Sequence, residues 1–272
     1  MQLDPRVNAY RDDLADISLQ GRVDARRFVP GSPGKIVVSI ASLRNAPDAT
    51  APITTQALLG EGVTIFESRE GWHWVQLHAD HYVGYIAANE VDSGAPQHTH
   101  VITAALAHTY AQPDIKSQPL EVLPMGARIK AVSTNDNAWL ALTRGGYIKA
   151  VAVAPRPEKD FVAIAAQLLG APYLWGGRTA MGIDCSGLIQ LALQMTGRVC
   201  PRDSDQQADA LGTTLANGEP LHRGDLVFFK GHVGIMWDME NLLHANASSM
   251  NVTIELLSAV QQRAETTVRK RL

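Results

Sequence analysis

The stretch that decides the fold of this chain is Gly182-Ile183-Asp184-Cys185-Ser186-Gly187-Leu188-Ile189-Gln190, which predicts a cysteine at the start of a helix. Apolar residues recur after Cys185 at spacings of three and four, and Gly197 is placed to end the helix. Asp184 is a suitable N-cap residue. Cys185 would then lie in the first turn, where unpaired amides and the helix dipole favour a thiolate. The same pattern also fits a small cysteine buried in the core.

Two histidines follow in predicted strands. His232 opens one apolar run and His244 lies in a second, while residues 223–229 predict a further strand before both. This order suits a cysteine on a helix that faces histidines on an antiparallel sheet. Side chains alternate across a strand, so the two histidines share a face only if the intervening turn is odd-numbered or bulged. We therefore expect Cys185 as nucleophile, His232 as base and later acid, and His244 to orient His232.

Five short motifs lie in sequence over residues 158–257. They are the run 173–187, Pro201-Arg202-Asp203-Ser204, Arg223-Gly224-Asp225-Leu226, Gly231-His232-Val233-Gly234-Ile235 and His244-Ala245. In this order they resemble the NlpC/p60 family of bacterial cell-wall cysteine peptidases. The resemblance implies a compact papain-like α+β domain. It also implies cleavage of peptidoglycan stem peptides, usually between D-γ-glutamate and a diamino acid.

The resemblance also implies roles for residues around the cysteine. Tyr173 would place its hydroxyl near the scissile carbonyl and help the Cys185 N–H to stabilise the oxyanion. Further positions are expected to contact substrate: Trp175, Asp184, Ser186, Asp203 and Ser204. In the murein-recycling branch of the family, an aspartate at the position of Asp203 pairs with the free α-amine of the substrate's L-Ala. Without the resemblance, Tyr173 fits core packing equally well, and the Arg-Asp-Ser turn fits a helix cap better than a substrate contact.

Residues 36–154 contain an internal repeat. Gly60 and Gly126 are equivalent, as are Trp74 and Trp139, in two units of short alternating strands. The repeat predicts two small β-barrels that resemble bacterial Src-homology-3-like domains, over residues 36–95 and 98–154. A single irregular β-domain is the alternative.

The recycling branch borrows residues from its first barrel to close the substrate groove. The segment 55–61 resembles the piece that supplies a second amine-binding carboxylate, so Glu61 is the candidate for it, and Tyr82 is the candidate for the barrel tyrosine. A solvated glutamate and a strand tyrosine are the simpler interpretation from sequence alone.

The remaining segments set the domain limits. Residues 1–35 are polar and predict an N-terminal arm with a short helix over about residues 7–17. Pro155-Arg156-Pro157-Glu158 predicts a stiff linker. The catalytic domain is expected over residues 158–272, opening with a helix that runs from Lys159 to Gly170. The predicted fold class is α+β, a papain-like peptidase domain preceded by two small all-β barrels.

Composition limits the partners and cofactors. The 272 residues suit two or three domains, and a net charge of −3 gives no reason to expect nucleic acid. Two cysteines do not make a disulfide framework, so Cys200 is expected to be a small buried residue. No apolar h-region or membrane-length apolar window is present, which predicts no membrane partner and a cytoplasmic location. No zinc-type spacing or phosphate loop is present, so neither a metal nor a cofactor is expected.

The function expected from these observations is a cysteine endopeptidase that cuts γ-D-glutamyl–diamino acid bonds. Its substrates would be released murein tripeptides or tetrapeptides with a free N-terminal L-Ala, and the protein would act as a monomer. Two alternatives stay open: an N-acylmuramoyl-type amidase or other Cys-His-His acyl transferase, and a wall-binding module that acts on intact peptidoglycan.

Overall fold

A computed structural model describes residues 3–135, 137–154 and 159–272 of the chain. The predicted linker at residues 155–158 lies outside the described residues. The described chain divides into two units, one made of residues 3–102 and 106–154 and the other mainly of residues 159–272.

Residues 3–35, the described part of the N-terminal segment, form no α-helix, so the helix predicted over residues 7–17 is wrong. The segment instead forms a short strand, β1 (Ala15–Asp16), which pairs in parallel with β2 (Phe28–Val29), and a single 3-10 turn (Ile17–Leu19). The physical reason is tertiary packing. Ala9 and Leu14 are buried in one cluster with Phe66 and Trp74 of the first barrel, and this contact replaces a helical stripe.

The first barrel is a seven-stranded antiparallel sheet. Its strands are β3 (Ser32–Ile36), β4 (Ile40–Arg44), β5 (Ile53–Leu58), β6 (Gly62–Arg69), β7 (Trp72–Leu77), β8 (Val83–Ala87) and β9 (Val91–Ser93). The strand order is β5-β4-β8-β7-β6-β3-β9. Alternate residues point inward and form an apolar core that includes Leu43, Val63 and Val75.

The second barrel repeats this topology. Its strands are β10 (His100–Ile102), β11 (Leu106–Tyr110), β12 (Pro119–Pro124), β13 (Arg128–Ile129), β14 (Ala131–Ser133), β15 (Trp139–Leu142), β16 (Tyr147–Lys149) and β17 (Val153–Ala154). Two sheets have the orders β12-β11-β16-β15-β14 and β13-β10-β17. Since β13 and β14 follow each other in the chain, these orders together match that of the first barrel. The prediction of two barrels is confirmed.

The catalytic unit combines a sheet with short helices. Its helices are α1 (Phe161–Ala166), α2 (Cys185–Met195), α3 (Ser204–Ala210) and α4 (Leu257–Gln261). Its strands are β18 (Arg178–Thr179), β19 (Gly182–Ile183), β20 (Thr213–Thr214), β21 (Leu226–Phe229), β22 (His232–Met236), β23 (Asn241–Asn246), β24 (Asn251–Leu256) and β25 (Thr266–Arg271). The main sheet has the antiparallel order β20-β25-β21-β22-β23-β24. This helix-on-sheet arrangement confirms the predicted papain-like α+β fold.

Helix α2 packs against β22, β23 and α1. All of its residues except Gln194 are buried, so its apolar residues face neighbours all round. The predicted end is confirmed, because α2 stops at Met195 and Gly197 adopts a φ of +78°. The first catalytic helix is shorter than predicted, since α1 ends at Ala166 rather than Gly170.

None of the helices in the part of the chain that the structure describes is long and apolar enough to cross a membrane.

Candidate active site

Helix α2 begins at a buried cluster built around Asp184. One carboxylate oxygen of Asp184 accepts the Gly187 N–H at 2.7 Å, and the other accepts the Gly176 N–H at 2.8 Å. The Arg202 guanidinium donates to both oxygens, at 2.9 and 2.6 Å, and to Ser186 Oγ at 2.8 Å. The predicted N-cap is therefore present, and a bidentate ion pair fixes it in place.

Asp184 and Ser186 are both turned into this cluster. Their side chains are almost fully buried, and Arg202 is 1% exposed. The side-chain oxygens of Asp184 and Ser186 make hydrogen bonds within the protein. Both residues therefore help to hold the start of α2 in place. Substrate contact by either residue stays a prediction.

The Gly-rich turn before the cysteine presses directly against the helix. A Cβ built on Gly187 would collide with the carbonyl oxygen of Gly177, and one built on Gly177 would collide with the backbone of Gly182. Only residues without a side chain permit this approach. This close approach of the Gly-rich segment to the start of α2 fixes the position of Cys185.

Cys185 lies where the helix meets the sheet. Its thiol is in hydrogen-bonding contact with the backbone N–H groups of Ser186 and of Val233, the residue next to His232. Burial, reinforced by the nearby Asp184 carboxylate, raises the pKa of the Cys185 thiol to about 11. This direction is opposite to the expected preference for a thiolate, because loss of water outweighs the amides of the first helical turn.

His232 and His244 are in direct hydrogen-bonding contact, and we call this line of side chains the relay. Nε2 of His232 lies 2.7 Å from Nδ1 of His244, and the ring centroids are 5.0 Å apart. Burial lowers the pKa of His232 to about 4, with the charge of His244 acting in the same direction, and burial also lowers the pKa of His244. Burial thus favours the neutral form of both imidazoles, as it does of the Cys185 thiol.

The sheet register explains why the two histidines meet. Met236 of β22 pairs with Leu242 of β23, which leaves the five residues 237–241 between them. This odd number satisfies the condition expected from strand alternation, so His232 and His244 point to the same face. They are diagonal neighbours across the strand pair, within reach of aromatic side chains.

The relay continues to two residues that sequence reasoning missed. His244 Nε2 lies 2.6 Å from Oε1 of Glu255, and the same oxygen accepts from Arg263 at 2.5 Å. The register pairs His244 with Thr253, so Glu255 is a diagonal neighbour on the same face. Thr253 and Glu255 lie two residues apart in the sequence, so their side chains point to the same face of a strand. Only the strand register shows that this face is the one that carries His244.

Tyr173 lies close enough to the cysteine for their charges to interact. The pKa of its hydroxyl is raised to about 12, first by burial and then by the charges of Cys185 and Asp184. A phenol with so high a pKa stays protonated and can donate a hydrogen bond. The backbone N–H of Tyr173 donates to Met250 O at 2.9 Å, which ties the segment before α2 to the turn between β23 and β24.

The remaining predicted contact residues of this unit lie near the start of α3 and before α2. Asp203 is half-buried at the N-cap position of α3, although its side chain makes no capping bond, and Ser204 is half-buried beside it. Because Asp203 follows Arg202, the buried ion pair fixes its backbone position. Trp175 is 68% exposed, as a surface available to a ligand would be. Cys200 is fully buried, as predicted.

Glu61 and Tyr82 belong to the first barrel. Glu61 is 4% exposed in the turn between β5 and β6, where its Oε2 accepts the Leu58 N–H at 2.9 Å. Tyr82 is 6% exposed in the apolar core of the barrel, and its N–H donates to Asp80 Oδ1 at 3.0 Å. These contacts show how both residues support the barrel, and their contact with substrate stays a prediction.

Two family models match this chain. The model described as the NlpC/P60 family matches residues 170–271, which contain Cys185, His232 and His244. The model described as the bacterial dipeptidyl-peptidase Sh3 domain matches residues 43–91, in the first barrel.

Relatives match over most of their length. Dipeptidyl-peptidase 6 of Lysinibacillus sphaericus is 27% identical, and the match covers 82% of this chain and 90% of that protein. Gamma-D-glutamyl-L-lysine dipeptidyl-peptidase of Bacillus cereus is 27% identical, and the match covers 85% of this chain and 86% of that protein. The crystal structure of an NlpC/P60 family protein from Bacillus cereus shares the fold, with a TM-score of 0.75, 23% identity and coverage of 88% and 99%. Residues 170–271 thus form a cysteine peptidase domain of the NlpC/P60 family, which follows a bacterial dipeptidyl-peptidase SH3 domain in the chain.

Proposed function

We propose that this chain hydrolyses the γ-D-glutamyl–diamino acid bond of peptidoglycan stem peptides. We further propose that it prefers released murein tripeptides and tetrapeptides with a free N-terminal L-Ala, in cytoplasmic cell-wall recycling. The observations that carry the proposal are the contact of the Cys185 thiol with the backbone N–H of Val233, next to His232, and the 2.7 Å contact between His232 and His244. The relatives named as dipeptidyl-peptidases, among them two named for γ-D-glutamyl-L-lysine, support the choice of bond.

The chemistry starts from the neutral thiol and imidazole. As Cys185 Sγ attacks the scissile carbonyl carbon, its proton passes to His232, and the new imidazolium is stabilised through His244. The developing oxyanion accepts hydrogen bonds from the Cys185 N–H and the Tyr173 hydroxyl. His232 then returns the proton to the leaving amine of the diamino acid, which leaves a thioester on Cys185. Water, deprotonated by His232, hydrolyses the thioester and restores the enzyme.

The preference for a free amine rests on Asp203. Its carboxylate follows Arg202, whose bidentate ion pair holds the adjoining backbone in place. An ammonium group paired with a carboxylate is a strong, charge-assisted contact, and an acylated amine cannot make it. In polymeric wall the L-Ala nitrogen is acylated by the sugar moiety, so we expect intact wall to be a poor substrate. Glu61 is the proposed second carboxylate.

The test compares two forms of one peptide. L-Ala-γ-D-Glu-L-Lys and its N-acetylated form are incubated with the full chain, and products are identified by mass spectrometry. We expect L-Ala-γ-D-Glu and free lysine from the free-amine form, and at least tenfold slower cleavage of the acetylated form. Cys185→Ala is the matched inactive control, and the diaminopimelate peptide shows which diamino acid is preferred.

Other products would contradict the proposal in defined ways. Release of peptide from the sugar-linked lactyl group would indicate an amidase. Efficient digestion of purified sacculi by the wild-type enzyme would indicate that the chain acts on intact wall and would exclude the free-amine preference.

A further inference from the structure

The outer end of the catalytic relay is a carboxylate that also pairs with an arginine. Glu255 Oε1 lies 2.6 Å from His244 Nε2 and 2.5 Å from the Arg263 guanidinium. Glu255 comes from β24 and Arg263 follows α4, so two separate elements converge behind His244. His244 itself is 1% exposed, which makes its hydrogen bonds decisive for its orientation.

The donors and acceptors along this relay assign its protons. The pKa of Glu255 is lowered, chiefly by the hydrogen bond from Arg263, so Glu255 is ionised and can only accept. His244 therefore carries a proton on Nε2, and as a neutral ring it leaves a lone pair on Nδ1. Because that lone pair lies 2.7 Å from His232 Nε2, His232 is protonated there. Nδ1 of His232 is then the free base of the ring.

A second contact favours the opposite tautomer. The Asn246 side-chain nitrogen lies 3.2 Å from His244 Nε2, and its amide orientation is set by Ser249, whose N–H donates to Asn246 Oδ1 at 2.8 Å. A donor at this position favours a lone pair on Nε2. The closer, ionised Glu255 prevails in the native protein, whereas Asn246 would decide the tautomer if Glu255 could not accept.

We propose that Glu255, held by Arg263, is a positioning residue that sets the tautomers of His244 and His232 and so leaves His232 Nδ1 free to take the Cys185 proton. This inference rests on the peptidase chemistry of the proposed function and extends it by a fourth and fifth residue. With the acceptor removed, both rings would adopt the other tautomer, and the ring nitrogen meant to act as base would already hold a proton.

Charge provides an independent signature of the same arrangement. The groups whose charges reach the two imidazoles are Glu255 and Arg263, together with the imidazoles themselves. Asp184, Arg202 and Tyr173 act on the Cys185 side. Glu255 raises the pKa of both histidines and Arg263 lowers it. Removing the charge of Glu255 must therefore lower the pKa of the histidine pair, whereas removing the charge of Arg263 must raise it.

The experiment uses nitrogen-15 spectra of histidine-labelled full-length protein, which report the tautomer and titration of each ring without any substrate. His232→Gln and His244→Gln assign the signals. In Glu255→Leu we expect both rings to change to the Nδ1–H tautomer. Glu255→Gln keeps an acceptor oxygen and should keep the native tautomers, while the pKa of the pair falls. Arg263→Met should keep the tautomers and raise that pKa.

Arg223→Met is the matched control, because Arg223 is 44% exposed and paired with Asp160, much as Arg263 is 40% exposed and paired with Glu255. It should change neither tautomer nor titration. In peptide cleavage at pH 7.5, Glu255→Leu should lose roughly ten- to a hundredfold in kcat/KM, as for loss of one hydrogen bond to a charged group. Glu255→Gln should recover most of this loss.

Two results would overturn the inference. One is native tautomers in a folded Glu255→Leu protein, and the other is a shift of the same sign in Glu255→Gln and Arg263→Met. Failure of the wild-type enzyme to cut the γ-D-glutamyl peptide would count against the proposed substrate alone, since the spectra do not depend on it.

Discussion

Replacement of Arg202 by methionine should strongly destabilise the catalytic unit. The guanidinium is 1% exposed and donates to both oxygens of Asp184. Removing one partner of a buried ion pair typically costs about 3–5 kcal/mol, because the other charge stays buried. In the variant Asp184 keeps its hydrogen bonds from the N–H groups of Gly176 and Gly187, at 2.8 and 2.7 Å, and these bonds partly stabilise the carboxylate. We therefore expect a loss near the lower limit, about 3 kcal/mol.

The matched comparison is Arg223→Met. Arg223 also forms an ion pair, with Asp160 at 2.9 Å, but the two side chains are 44% and 50% exposed. Solvent screens such a pair, so its loss should cost about 0–1 kcal/mol. Native-state hydrogen exchange of the buried amides of α2 measures the free energy of unfolding of the catalytic unit alone, which avoids treating the whole chain as one transition.

A double variant tests whether the ion pair is the cause. Arg202→Met combined with Asp184→Asn removes both charges, so its loss should be smaller than the sum of the single losses by about 1 kcal/mol or more. The reasoning is refuted if Arg202→Met and Arg223→Met lose the same stability, or if the two single losses at the buried pair simply add.

Three further outcomes can be checked directly. Cys185→Ala should abolish peptide cleavage while Cys200→Ala retains it, and iodoacetamide that inactivates by labelling Cys200 alone would contradict this. Asp203→Asn removes a charge-assisted hydrogen bond, so it should lower kcat/KM for the free-amine peptide roughly ten- to a hundredfold. The loss for the acetylated peptide should be much smaller, and equal losses on both peptides would exclude amine recognition by Asp203. Gly187→Ala should lower stability by about 1–3 kcal/mol through overpacking against Gly177, and an unchanged melting temperature would refute that contact.

The features that sequence reasoning predicted correctly are local or repeated. The start and end of α2 follow from Asp184, the apolar spacing and Gly197, because caps and helical periodicity act within a few residues. The two barrels follow from the equal offsets of their glycines and tryptophans, because each copy must bury the same positions to form a core.

Contacts between distant segments were decided only by the tertiary structure. The relay to Glu255 depends on the register that pairs His244 with Thr253, and the Asp184–Arg202 pair joins the helix start to a loop that follows the helix. The neutral Cys185 thiol also comes from tertiary burial, which outweighs the local helix dipole. The N-terminal segment shows the same principle, since packing of Ala9 and Leu14 on the first barrel overrides a weak helical pattern. The spacing of residue types along the chain predicts local helices and strands. Burial and strand register depend on which distant residues the fold brings together.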